Sequence, residues 1–90
     1  MSIRVIPLDP IPNQRSPFRI NESNFDIEIN LRRGNLYISV WRDNVSQIHN
    51  RVLRSYAPMV DGFMMVDTEG TQDPTYEQLG SRFLLMKDDG

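Results

Sequence analysis

The sequence predicts a small all-β protein: one antiparallel β domain, arranged as a meander that is either closed as a barrel or folded as a sandwich. Two observations support this fold class. Residues 24–44 contain two arms in which apolar and polar residues alternate with a period of two, as in strands with one buried face. Short apolar segments separated by turn-forming residues then recur along the chain. A chain of 90 residues is enough for one domain, which we assign to residues 1–90.

The first 14 residues combine a short apolar strand, beginning at Ile3, with three prolines. Proline fixes an extended backbone and lacks the N–H of a sheet ladder, so we expect residues 1–14 to form a Pro-rich N-terminal arm or an edge strand. Apolar side chains are interleaved with the prolines, which indicates that the segment packs against another surface. The predicted partner-contacting residues here are Ile6, Leu8, Pro10, Ile11, Pro12, Asn13 and Gln14.

The central hairpin is the clearest element of the sequence. A strand at residues 18–20 and a turn at 21–24 lead into a first arm at 25–31, and a second arm follows at 36–41. Between the arms, Gly34 can adopt the positive φ that a tight hairpin turn requires, and Asn35 tolerates it nearly as well.

The next segment is harder to assign. Val45, Ile48 and Val52 recur at helical spacing, but valine and isoleucine are β-branched, and the intervening Asn and Ser residues are mediocre helix formers. We therefore predict a strand at residues 51–56, ended by Pro58. The apolar run 63–66 is predicted to be a strand buried on both faces, after a turn at Asp61-Gly62.

The C-terminal third is predicted to contain a polar loop, one helical turn and a final strand. The loop spans residues 67–76, and the helical turn spans 75–80, capped by Thr75 or Asp73 and closed by Gly80. The final strand spans residues 82–87 and is followed by a frayed end at 88–90.

Composition restricts the function. The net charge of −2 argues against a dedicated nucleic-acid-binding domain. Nine of the ten basic residues are arginine, which indicates either a protein interface or a genome-wide preference for arginine. With no cysteine, neither a disulfide nor a thiolate metal site can form. No apolar run approaches the ~20 residues of a membrane span, and the N-terminus lacks the features of a signal peptide, so we expect a soluble, non-secreted chain.

No catalytic motif is apparent. His49 is the single histidine, and with no cysteine it cannot build a typical zinc site; no Gly-x-Ser-x-Gly or similar nucleophile motif is present either. The spacing of Asp67, Glu69 and Asp73 matches no calcium loop. We therefore predict that the protein is not an enzyme and uses no cofactor. The acidic loop is instead predicted to contact a basic partner surface through Asp67, Glu69, Asp73 and Tyr76.

Three motifs resemble those of the small baseplate plug proteins of contractile-tailed bacteriophages: IPLDPIPNQR at residues 6–15, the hairpin with GNLYISV after its turn, and DPTYEQLGSRFLL at 73–85. The resemblance touches most of the chain in order. It implies a structural protein of the virion tail baseplate, synthesised in the host cytoplasm, that packs beside tail-tube and hub proteins. It also implies that no catalytic residues, small-molecule substrate or membrane are involved, and that matched positions such as Asn13, Gly34 and Gly80 set turns.

An alternative function rests on the sheet surface. Tyr37 and Trp41 share a strand, and Arg33 lies at the hairpin turn, a combination that is found in platforms for single-stranded nucleic acid. The rival hypothesis is therefore a free β-barrel adaptor that binds a peptide or single-stranded nucleic acid, although the acidic composition makes nucleic acid the weaker partner. Arg33 and Trp41 complete the set of predicted contact residues.

Overall fold

The computed structural model describes residues 3–88, which contain seven β-strands and two 3₁₀ turns. Within this part of the chain there is no helix long and apolar enough to cross a membrane. The 3₁₀ turns are Val60–Gly62 and Tyr76–Gln78. The strands are β1 (Ile3–Ile6), β2 (Gln14–Ile20), β3 (Ser23–Arg32), β4 (Asn35–Arg42), β5 (Val45–Val52), β6 (Phe63–Asp67) and β7 (Phe83–Asp88).

The strands form two antiparallel sheets that share one hydrophobic core. The four-stranded sheet has the order β2-β3-β4-β5 and is a meander, whereas the three-stranded sheet has the order β1-β7-β6. The ring of Phe63 in the second sheet meets the rings of Phe18 and Phe25 in the first edge to face, with centroids 6.3 and 5.8 Å apart. The all-β antiparallel prediction is confirmed. The closed barrel is wrong, because the two sheets remain separate.

Three two-residue turns connect the strands of the four-stranded sheet. Both central residues of each turn have a positive φ, the backbone that matches the twist of a tight hairpin. Gly34 adopts it as predicted, with a φ of 81°. Asn35 does not, because it is the first residue of β4, and Arg33 takes the other turn position. The turns are Asn21-Glu22 (φ 48° and 68°), Arg33-Gly34 (48° and 81°) and Asp43-Asn44 (49° and 67°).

The strand predicted at residues 51–56 is wrong, because β5 spans Val45–Val52. The alternation of apolar and polar residues is broken in β5, because this strand has an extra residue relative to β4 at two places, near Gln47 and near Asn50. Asn50 has a φ of 46°. Each extra residue interrupts the alternation of two and leaves apolar residues three or four positions apart, which imitates helical spacing.

The Pro-rich segment is integrated into the domain and is not shown as a separate arm. β1 forms an edge of the three-stranded sheet by pairing with β7, and Ile6 and Leu8 are buried in the core. The loop that follows is closed by the amide of Gln14, which accepts a hydrogen bond from the N–H of Asp9 (3.0 Å) and donates one to the Asp9 carbonyl (2.7 Å). Residues 1 and 2 of the predicted arm lie outside the described residues.

Residues 63–66 form most of β6, but they are not buried on both faces. Burial alternates along β6 and along β7, so each strand has one core-facing and one partly exposed side.

The predicted helical turn is present as the 3₁₀ turn at Tyr76–Gln78, and Gly80 has a positive φ of 85°. Thr75 is its N-cap residue but makes no side-chain capping bond. Of the predicted frayed end, Asp88 belongs to β7 and residues 89–90 lie outside the described residues.

Candidate protein-protein interface

The three motifs at residues 6–15, around the hairpin turn and at 73–85 meet at one end of the domain. Asn13 Oδ1 accepts a hydrogen bond from the N–H of Leu31 at 3.1 Å, which joins the Pro-rich loop to the hairpin. A Cβ added at Gly80 would collide with the carbonyl oxygen of Leu8, so this close approach requires glycine. A groove of about 170 Å³ lies between the hairpin turn and residues 74–77. We call residues 7–14, 31–36 and 74–80 the loop end.

The predicted contact residues of the Pro-rich segment separate into three groups. Ile6 and Leu8 are only 5% and 9% exposed and belong to this chain's own core, so their contact with a partner stays a prediction. The side chains of Asn13 and Gln14 are engaged in the intramolecular hydrogen bonds described above. The remaining three residues lie nearer to solvent: Pro10 is exposed, Pro12 is half-buried, and Ile11 is 43% exposed.

Asp67 is also buried, and its contact with a partner stays a prediction. Its two carboxylate oxygens accept hydrogen bonds from Arg82 Nε (2.8 Å) and Nη2 (3.0 Å), and from the backbone N–H groups of Glu69 and Gln72 (both 2.9 Å). The Arg82 hydrogen bonds hold the pKa of the Asp67 carboxyl well below its usual range, against the opposing effect of burial, and the backbone bonds add to this lowering. The same pairing raises the pKa of Arg82. Asp67 therefore organises the loop that follows it.

The rest of the acidic loop is held close to the domain. Asp73 pairs with Arg54 at 3.2 Å, and both side chains are about half exposed. The hydroxyl of Ser55 donates a hydrogen bond to the Gln72 carbonyl. Tyr76 is half-buried and packs against the core, whereas Glu69 is exposed. The loop is thus a structured surface that presents two of its predicted contact carboxylates, Glu69 and Asp73, to solvent.

Arg33 and Trp41 are not brought together. Arg33 is exposed in the turn before β4, whereas Trp41 is near the opposite end of that strand and pairs with Asp26 of β3. The guanidinium carbon of Arg15 lies 5.1 Å from the centroid of the Trp41 ring and partly covers it. His49 is exposed beside Asn50 on β5. No group of potential metal ligands occurs among the residues that the structure describes.

The outer side of the three-stranded sheet carries an apolar surface that the sequence analysis did not identify. The register places Val5, Met86 and Met64 side by side across the three strands, with Leu84 opposite Val66 in the next row. Val5 is 50% exposed and Ile3 is 63% exposed, and the remaining members are half-buried. We call this apolar surface the outer face; its residues are Ile3, Val5, Met64, Val66, Leu84 and Met86, and Asp88, opposite Ile3, borders it on the same side of the sheet.

A groove of about 300 Å³ borders the outer face. Three of the five methionines of the chain, Met59, Met64 and Met86, contribute to its lining. Methionine side chains are flexible and polarisable, so such a lining can adapt to an inserted apolar side chain. The signal in the sequence was the pair of uninterrupted apolar runs at 63–66 and 83–86, which supply both faces of β6 and β7 with apolar side chains.

Comparison with known protein families gives one finding. A family model described as "Cyanophage baseplate Pam3 plug gp18" matches residues 3–90, which includes all of the described residues. A comparison with curated proteins gave no match.

Proposed function

The chain belongs to the cyanophage baseplate Pam3 plug gp18 family, a family of phage baseplate plugs, and we propose that it is a structural subunit of a contractile tail that acts by packing against neighbouring proteins. The observation that carries this proposal is the family match over residues 3–90. Family membership implies a place in the virion baseplate and contacts with other baseplate or tail proteins. We further propose that the chain is made in the host cytoplasm and that its role is structural and not catalytic.

The distribution of exposed groups supports a role in packing. At the loop end, Pro10, Ile11 and Arg33 remain accessible on a frame that intramolecular hydrogen bonds hold in place. A pre-ordered loop loses little conformational entropy when it binds, which favours a fixed contact. We propose that the loop end contacts a neighbouring baseplate protein, and that Glu69 and Asp73 face basic groups of such a neighbour.

The proposal is tested by quantitative mass spectrometry of density-purified virions from the source phage. A baseplate subunit is expected at a small, fixed number of copies per particle that does not change after a high-salt wash. If the chain is abundant in infected-cell lysate but missing from the particles, it is not a baseplate subunit, and the free adaptor becomes the better hypothesis.

A further inference from the structure

We propose that the outer face is covered, in the assembled baseplate, by an apolar surface of a different protein and not by a second copy of this chain. This inference rests on the proposed function and extends it, because it assigns one surface and the chemistry of its occupant. Three properties of the outer face support the assignment: its strand pattern, the apolar side chains at its centre and its size.

The strand pattern indicates a second covering layer. Strands that are covered on both sides have nearly continuous apolar sequences, whereas strands with one wet side alternate apolar and polar residues. β3 follows the alternating pattern, with Asp26 and Glu28 on its solvent side. β6 and β7 do not, because residues 63–66 and 83–86 are all apolar. Within the described chain, only one side of these two strands is covered by the core.

Two of the three charged residues of these strands lie on the other side of the sheet, and the third, Asp88, borders the outer face opposite Ile3. Lys87 is opposite Phe63, and Asp67 is opposite Phe83, so both charged residues share the core-facing side. There the Lys87 ammonium donates to the carbonyls of Asp61 and Asp88 and lies 5.3 Å from the centroid of the Phe63 ring. The six residues of the outer face are uncharged. A complementary surface is therefore apolar, since a charge placed opposite these side chains would lose its hydration without a partner.

The size of the outer face argues against a second copy as the occupant. Three strands spaced by about 4.8 Å, with about four residues at about 3.3 Å each, give an area on the order of 200 Å². A stable complex of two free proteins usually buries about 800 Å² on each partner. The outer face is therefore too small to hold two copies together in solution. It suits one contact among several, with a neighbour that the rest of the baseplate also holds in place.

The test compares two matched substitutions, Val5→Asp on the outer face and Val45→Asp on β5. Both valines are exposed strand residues, at 50% and 61%, and they lie in different sheets. Each variant is supplied from a plasmid to cells infected with phage that lack the gene, and its copies per virion are counted by mass spectrometry. We expect Val5→Asp to lower incorporation at least about tenfold, because burial of an unpaired carboxylate costs more than the 1.4 kcal/mol that a factor of ten represents. Val45→Asp should be incorporated like the unmodified chain.

A second measurement identifies the occupant even if Val5→Asp folds poorly. A photo-crosslinking amino acid, p-benzoylphenylalanine, replaces Met64 at the centre of the outer face, and the virions are irradiated. The expected product joins this chain to a different virion protein, and light scattering should show the purified unmodified chain to be a monomer. A crosslink between two copies, no crosslink, or normal incorporation of a folded Val5→Asp variant would overturn the inference while the chain remains a virion protein. Absence of the unmodified chain from virions would instead overturn the proposed function itself.

Discussion

Ser39 Oγ lies 2.9 Å from the backbone nitrogen of Asn50 and accepts its hydrogen bond. Ser39 is on β4, so the neighbouring strand supplies an acceptor for a backbone N–H group in the bulge of β5. Ser39 is 2% exposed, so water cannot easily replace its hydroxyl. We expect Ser39→Ala to lower the free energy of unfolding by about 1–2 kcal/mol, the usual cost of leaving a buried N–H without an acceptor. Urea denaturation measures the effect. Ser46→Ala, at an exposed position of β5, is the control and should change stability by less than about 0.5 kcal/mol.

The Asp67–Arg82 pair predicts a specific loss of stability in acid. The pKa of Asp67 is lowered in the folded protein, so its ionised form stabilises the fold fully above the unfolded pKa of about 3.9 and progressively less as the pH falls below that value. Asp67→Asn should destabilise the protein at pH 7, because the charge-assisted bonds to Arg82 are lost. The difference in urea midpoint between the two proteins should shrink between pH 5 and pH 3, values that are about one unit on either side of that unfolded pKa.

Asp73→Asn is the control for this pH experiment, because Asp73 is exposed and pairs with Arg54 on the surface. Its midpoint should stay close to that of the unmodified protein throughout the pH range. A midpoint difference for Asp67→Asn that is the same at pH 5 and pH 3 would contradict the role assigned to the ionised carboxylate.

The turn between β2 and β3 offers a stabilising substitution. Glu22 has a φ of 68°, a left-handed conformation that costs a residue with a Cβ roughly 1–2 kcal/mol but is open to glycine. After allowing for the greater flexibility of glycine in the unfolded chain, we expect Glu22→Gly to stabilise the protein by about 0.5–1 kcal/mol and to raise its Tm by about 2–8 °C. Glu22→Ala removes the same charge but keeps the strain, so calorimetry should show no comparable rise for it.

Two isoleucines of the Pro-rich segment should behave differently. Ile6 is 5% exposed and Ile11 is 43% exposed. Ile6→Ala removes core packing and is expected to cost about 2–5 kcal/mol, whereas Ile11→Ala should change stability by about 0.5 kcal/mol or less. Thermal unfolding of the two variants gives the comparison. Equal and small effects would favour the separate N-terminal arm that the sequence allowed. Because deletion of residues 1–14 would remove β1 and two buried side chains, Ile6 and Leu8, we expect it to unfold the protein.

The sequence was most informative where structure is set by neighbouring residues. The alternation in residues 25–31 fixes which side of β3 is buried, and Gly34 marks the hairpin turn. The other two turns contain no glycine, so their conformation is set by the pairing of the flanking strands and leaves a weaker local signal. The bulge at Asn50 is stabilised by Ser39 from another strand, which a reading of residues 45–52 alone does not include.

The candidate contact surfaces show the same division. Proline and apolar residues in the first 14 positions indicated packing, but the identity of the surface they pack against depends on the pairing of β1 with β7 from the other end of the chain. The carboxylate of Asp67 and the guanidinium of Arg82 meet only because β6 and β7 pair. The outer face did leave a local signal, since the two uninterrupted apolar runs require cover on both sides. By our proposal, the second cover belongs to another protein.

The pairing of Ile3 with Asp88 also determines when the outer face can exist. The four-stranded meander is built from neighbours along the chain and is complete once residue 52 has emerged from the ribosome. The three-stranded sheet needs β7, so β1 has no partner strand until residue 88 has been translated. A nascent chain that still lacks β7 therefore cannot form the outer face, and by our proposal it cannot yet bind the neighbour that covers this face.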